Sequence, residues 1–90
     1  MINVKFTQAL KKFFPSLKDT PAKGSTVKEV LDEIETSYPG ILRYVLDEQG
    51  KLRQHVNIFI DNTMIKDRTA LSDSFSENSE IYIIQALSGG

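Results

Sequence analysis

Between Thr26 and Tyr38 the sequence writes a helix with a start, a period and a stop, and strand-patterned segments flank it on both sides. Thr26 followed three residues later by Glu29 forms a capping box. Behind it, Val27, Val30, Leu31, Ile34 and Tyr38 fall on one helical face. Pro39 disfavours helical backbone at the residue before it, and Gly40 follows. A single main helix between two groups of strands suggests a mixed sheet packed on one face against that helix, an α+β roll.

The strands are read from alternation. Ile2, Val4 and Phe6 alternate with Asn3, Lys5 and Thr7, the period of a half-buried strand. From Leu52 to Ile60, Val56, Ile58 and Ile60 alternate with His55, Asn57 and Phe59. Asp61-Asn62 has turn composition and leads into a short strand over Thr63 to Lys66. The segment Glu80 to Leu87 is apolar on both faces, the mark of a central strand. Between Gln8 and Gly24, with Pro15 and Pro21 as breakers, the pattern predicts only a hairpin partner around Leu17 to Ala22. Ile41 to Leu46 reads as a further helical turn or an irregular apolar segment, Asp47 to Gly50 as a loop, and Thr69 to Ser79 as a polar stretch anchored by Leu71 and Phe75. A right-handed crossover sets residues 2–7 and 80–87 side by side in the middle of a mixed sheet packed on one main helix. The expected organisation is a single domain over residues 1–87 with a flexible tail at 88–90.

Inventory removes most chemistries. A chain of 90 residues buries roughly 60 to 68% of its unfolded surface, which leaves a small core and no room for a deep pocket. With no Cys and one His, thiolate nucleophiles, disulfides and Cys/His zinc sites are excluded. The net charge of −1 gives no general attraction to nucleic acid or anionic lipid, although residues 1–28 carry six Lys against one Asp. Lys11, Lys12, Lys18 and Lys23, with Phe13 and Phe14 nearby, are read as solubilising charges and a cover for the end of the core. No apolar run approaches the ~18 residues of a membrane span, so the expectation is a cytoplasmic protein with neither nucleic-acid nor membrane partners. Asp32, Glu33 and Glu35 lie off the helix stripe and are expected on a solvated face. His55 is placed on the strand face opposite Val56, Ile58 and Ile60, with no triad partner at a meaningful spacing.

The chain ends Leu87-Ser88-Gly89-Gly90 immediately after the segment read as a central strand. With Gly at about 7% of residues, two terminal glycines arise by chance in roughly 0.5% of chains, and at a free end they cap and pack nothing. A Gly-Gly terminus presents a carboxylate on a thread without side chains, able to enter a slot too narrow for other dipeptides. Extended, Ser88 to Gly90 reach roughly 10 Å, suited to delivery into another protein's active site.

This strand and helix order, ending in Ser88-Gly89-Gly90, resembles the ubiquitin-like sulfur carriers of β-grasp fold, which include the small subunit of molybdopterin synthase and the carrier that supplies sulfur for thiamine. Tyr38-Pro39-Gly40-Ile41, Leu46-Asp47, Gly50-Lys51-Leu52 and Val56-Asn57-Ile58-Phe59-Ile60 are most similar to the members that serve cysteine biosynthesis. Ile84-Gln85-Ala86-Leu87 departs from the prolines common before Gly-Gly in the molybdopterin type. The resemblance implies a carrier and not an enzyme. An E1-like partner would consume ATP-Mg to adenylate the carboxylate of Gly90, a sulfur donor would leave a thiocarboxylate there, and no cofactor or metal would be bound by the carrier itself. Gly89 would be the spacer, with Ser88 and Leu87 the start of the recognised tail. The sulfur acceptor would be a cysteine-synthase-like enzyme or, alternatively, the large subunit of molybdopterin synthase; a protein modifier or interaction module is the other function class. For docking the body, the resemblance nominates the exposed sheet face, with Phe59 first because it alternates away from Val56, Ile58 and Ile60, joined by Ile84 or Leu87.

Overall fold

A computed structural model describes residues 2–85. Its elements are β1 (Ile2–Phe6), α1 (Gln8–Phe13), β2 (Thr20–Ala22), α2 (Val27–Ser37), α3 (Leu42–Val45), β3 (Val56–Ile60), β4 (Thr63–Met64) and β5 (Glu80–Gln85). The strands form one sheet in the order β2-β1-β5-β3-β4. β1 runs parallel to β5 with Val4 opposite Ile81, and the other neighbours are antiparallel. The first and last strands thus lie together in the sheet's interior, as the sequence pattern predicts. Val27, Val30, Leu31 and Ile34 of α2 are all buried, in one core with Val4, Ile58, Ile81 and Ile83 of the sheet.

The helix start is a capping box whose return bond is shifted one residue, from the N-cap Thr26 to Ser25. Thr26 Oγ1 accepts from the Glu29 N–H, and the Glu29 carboxylate reaches back to the Ser25 N–H at 2.7 Å. Two further orphan donors of the first turn, the N–H groups of Val27 and Lys28, donate to the carbonyls of Asp73 and Leu71. The 67–73 loop that supplies those carbonyls is itself held by two carboxylates. Asp67 accepts from the N–H groups of Thr69, Ala70 and Ser72 and from the Ser72 hydroxyl, while Asp73 accepts from those of Lys66 and Asp67. The hydrogen bond from the Ser72 hydroxyl, followed by those from the backbone, holds Asp67 down to a pKa of about 2.

Four expectations need correction. Gln8–Phe13 is a helix, where none was predicted. Gln, Ala, Leu and Lys are good helix formers, but one short turn and a half gives only the adjacent pair Ala9 and Leu10 as its buried side chains, too few to register a period. The strand predicted over Leu52 to Ile60 begins only at Val56. Leu52 instead forms an isolated bridge with Leu46, and the Arg53 N–H donates to Val45 O, so the backbone bends before β3 starts. His55 therefore occupies an exposed turn and not a strand face. Glu35 is half-buried, since the turn at Pro39-Gly40 (Gly40 φ 97°) brings two amides back onto it. Its carboxylate accepts from Gly40 N at 2.7 Å and Leu42 N at 3.0 Å, and these bonds hold its pKa below the ordinary value.

Candidate functional site: the open sheet face and the end of the last strand

Alternation along β5 decides which side chains meet a partner. Ile81 and Ile83 point into the core with no exposed surface, so Tyr82 and Ile84 point to the other side of the sheet. Register then places Phe59 opposite Tyr82, Asn57 opposite Ile84, Met64 opposite Phe59, and Lys5 on the far flank of Tyr82. Tyr82 is 39% and Met64 48% exposed, while Phe59 and Ile84 are half-buried by their neighbours. The result is an apolar strip across three strands, β4, β3 and β5, flanked by Lys5 of β1. At its margin Lys5 Nζ and a Glu80 carboxylate oxygen lie 3.0 Å apart, and the Glu80 hydrogen bond raises the Lys5 pKa above its ordinary value.

Phe59 and Ile84 thus lie on the face away from the helix, where the sequence pattern placed Phe59. Leu87, Ser88, Gly89 and Gly90 lie outside the described residues. Two members of the strip were missed. The signal for Tyr82 was present in the alternation of Ile81 and Ile83 around it, but a strand apolar on both faces hides which face is open. Met64 becomes visible only through the hairpin register that sets it against Phe59. That hairpin is fixed by Asp61 and Asn62, both at positive φ (49° and 72°), the backbone of a two-residue type I′ turn. The Asp61 carboxylate also accepts from the Glu80 N–H at 2.9 Å, tying the turn to the start of β5; this bond lowers its pKa.

A groove of about 590 Å³ lies at the other end of β5, beside Gln85, with Arg43, Tyr44, Arg53 and His55 among its lining residues. Among the described residues, no group of three or more His, Asp or Glu is placed to hold a metal ion. No helix there is long and apolar enough to cross a membrane. Chemically, the described surface is suited to holding another protein: an apolar strip on one side of the sheet, and cationic donors beside the strand that leads to the chain's end.

Comparison with known proteins decides the family. The chain matches the ThiS family over residues 4–90. It belongs to the ThiS family. This ThiS-family chain is similar to the sulfur carrier protein CysO of Mycobacterium tuberculosis, with 28% identity over 75 residues, 81% of each chain. Its fold is that of the CysO structure from the same organism (TM-score 0.82, 24% identity, covering 97% of this chain and all of that one). It is equally similar to a chain in the Amycolatopsis orientalis BexX/CysO complex (TM-score 0.84, 24% identity, both chains covered in full). Another ThiS-like fold is SAMP1 of Haloferax volcanii (TM-score 0.77, 22% identity, 99% and 98% covered). The mixed five-stranded sheet on one main helix is accordingly the ubiquitin-like β-grasp fold.

Proposed function

We propose that this ThiS-family chain carries sulfur on the terminal carboxyl of Gly90, most directly for cysteine biosynthesis. The observation that carries this is the family match running through residue 90, supported by the similarity to CysO. A carboxylate is a poor electrophile, so it must first be activated. In the proposed sequence a carboxylate oxygen of Gly90 attacks the α-phosphate of ATP-Mg in an E1-like enzyme, and pyrophosphate leaves. A sulfide donor then attacks the acyl carbon, AMP departs with the former carboxylate oxygen, and a thiocarboxylate remains. Its sulfur is anionic at neutral pH and softer than oxygen, so it serves as the nucleophile toward an activated carbon in a cysteine-synthase-like acceptor, as a thiolate would. Gly89 is the spacer that lets the thread pass a narrow channel, with Ser88 and Leu87 recognised behind it. The strip of Phe59, Tyr82, Ile84 and Met64 is the docking face for the folded body in a cytoplasmic pathway. The carrier supplies recognition and a reactive end, and the enzymes supply catalysis.

The test is intact-mass analysis after incubation with the activating enzyme, ATP, Mg²⁺ and sulfide. The expected gain equals one oxygen replaced by sulfur, located on the C-terminal peptide and absent when Gly90 is deleted. Gly89→Ala should reduce charging without loss of stability, because one methyl narrows the fit of the thread and leaves the folded body alone. Sulfur transfer to the large subunit of molybdopterin synthase, with none to a cysteine-synthase-like enzyme, would reassign the pathway. The similarity to SAMP1 structures, described as small archaeal modifier proteins, favours one second reading. If activation yields stable bonds from Gly90 to lysines of other proteins and no thiocarboxylate, that modifier reading replaces the carrier.

A further inference from the structure

Gln85 follows Ile81 and Ile83 in the alternation of β5, so its side chain lies on the helix side of the sheet, across from Phe59 and Tyr82. Its Oε1 is buried and has no donor among the described residues. The groove beside it is rich in donors. Arg53 Nε donates to Arg43 O at 2.9 Å, which fixes the Arg53 stem and leaves its two terminal nitrogens without a partner among the described residues. Neither Arg43 nor Arg53 forms an ion pair there. Asp47, the acid among the groove's lining residues, accepts from the N–H groups of Gln49 and Lys51. At the groove's edge Tyr44 is stacked by Phe13 (centroids 5.1 Å apart, planes 15°), and Phe13 is 55% exposed.

We propose that this groove and its aromatic ledge form a second docking surface, which takes an extended acidic segment of the protein that activates the tail. The groove's chemistry specifies that occupant. Two guanidiniums without an ion pair among the described residues call for a carboxylate, a buried acceptor without a donor there calls for an N–H, and a peptide bearing Asp or Glu supplies both from adjacent positions. The Phe13–Tyr44 ledge takes an apolar neighbour of that acid; Tyr, Phe and Arg together are the composition of an interface anchor. Location selects the partner. Gln85 is the last described residue of β5 and directly precedes residues 86–90 in the sequence, so a protein gripping that tail works next to this groove. With the Phe59 face on the opposite side of the sheet, the carrier is then clamped from both sides. This inference rests on the proposed activation of Gly90.

Two measurements test it. In the first, the double variant Arg43→Glu with Arg53→Glu is charged by the activating enzyme. Both side chains are exposed, so the fold, checked by amide NMR, should be retained. KM for the carrier should rise at least tenfold with kcat within about twofold, and the wild-type KM, but not the variant's, should rise with salt. Charging of the variant with wild-type KM overturns the docking surface while leaving the carrier reading intact. In the second, a capped peptide of leucine, aspartate, glutamate and phenylalanine is titrated into the full chain, with its asparagine and glutamine counterpart as control. Shifts confined to the Gln85 side-chain amide, Tyr44 and the two arginines, at least fivefold weaker for the neutral peptide, support the surface. No shift, or equal shifts from both peptides, overturns it. If the wild-type chain is never charged, the carrier reading fails and the peptide titration alone decides the groove.

Discussion

Two neighbours on β5 should respond to truncation in opposite ways. Ile83 is fully buried between the sheet and α2, and Tyr82, one residue before it, stands on the open face. Ile83→Ala removes three carbons, about 2.4 kcal/mol at ~0.8 kcal/mol per buried CH₂, and the unfilled cavity brings the cost to about 3–4 kcal/mol. Tyr82→Ala loses chiefly its cross-strand contact with Phe59, worth about 0.2–1 kcal/mol. A domain of this size has a total stability of about 5–13 kcal/mol, so the first change removes a large share of it and the second little. In urea, with a slope of about 1.5 kcal/mol/M, the midpoint should fall by about 2–2.7 M for Ile83→Ala and by under about 0.7 M for Tyr82→Ala. Matching losses in the two variants would refute the assignment of the Tyr82 face as open surface, because a side chain with nothing packed over it has no cavity to leave.

The acid limb of stability should depend on Asp67. Its folded pKa of about 2 lies below the unfolded value, so its contribution is present above ~pH 4 and lost as pH falls toward 2. Asp67→Asn should lower the urea midpoint at pH 7 and flatten its decline between pH 4 and 2, and a parallel decline in both proteins would remove Asp67 as the cause. At the β3–β4 turn, Asn62→Val places a β-branched residue at φ 72°, which should cost about 1–2 kcal/mol, whereas Asn62→Gly should be neutral or mildly stabilising by the same denaturation assay.

Where fold was legible in the sequence, several local signals agreed. Thr26, Glu29, the Val27 to Ile34 stripe and Pro39 each specify the same helix, and the strands at 2–6 and 80–85 follow from alternation and from apolar character on both faces. Phe59 was legible for the same reason, as an apolar residue out of phase with its neighbours. What escaped depends on contacts between distant segments. α1 buries Ala9 and Leu10 only because the rest of the fold lies beneath them, and Glu35 is drawn from solvent by amides beyond a turn. The groove is the extreme case, since it assembles residues 43–56 with Gln85, and no spacing in the chain announces that they meet.

The parallel pairing of β1 with β5 bears on how the sheet closes. It lines up Val4 with Ile81, so two segments far apart in sequence must meet before the sheet is continuous. Until then β2-β1 and β3-β4 are two separate ribbons with no strand to join them, and the stripe of α2 has half a sheet to cover. Folding should therefore be slow for a domain of this size, because the contacts that close the sheet are far apart in sequence. A chain that lacks residues 80–85 cannot display the Phe59–Tyr82 strip at all, so any partner docking there would discriminate the folded domain from such fragments without separate proofreading.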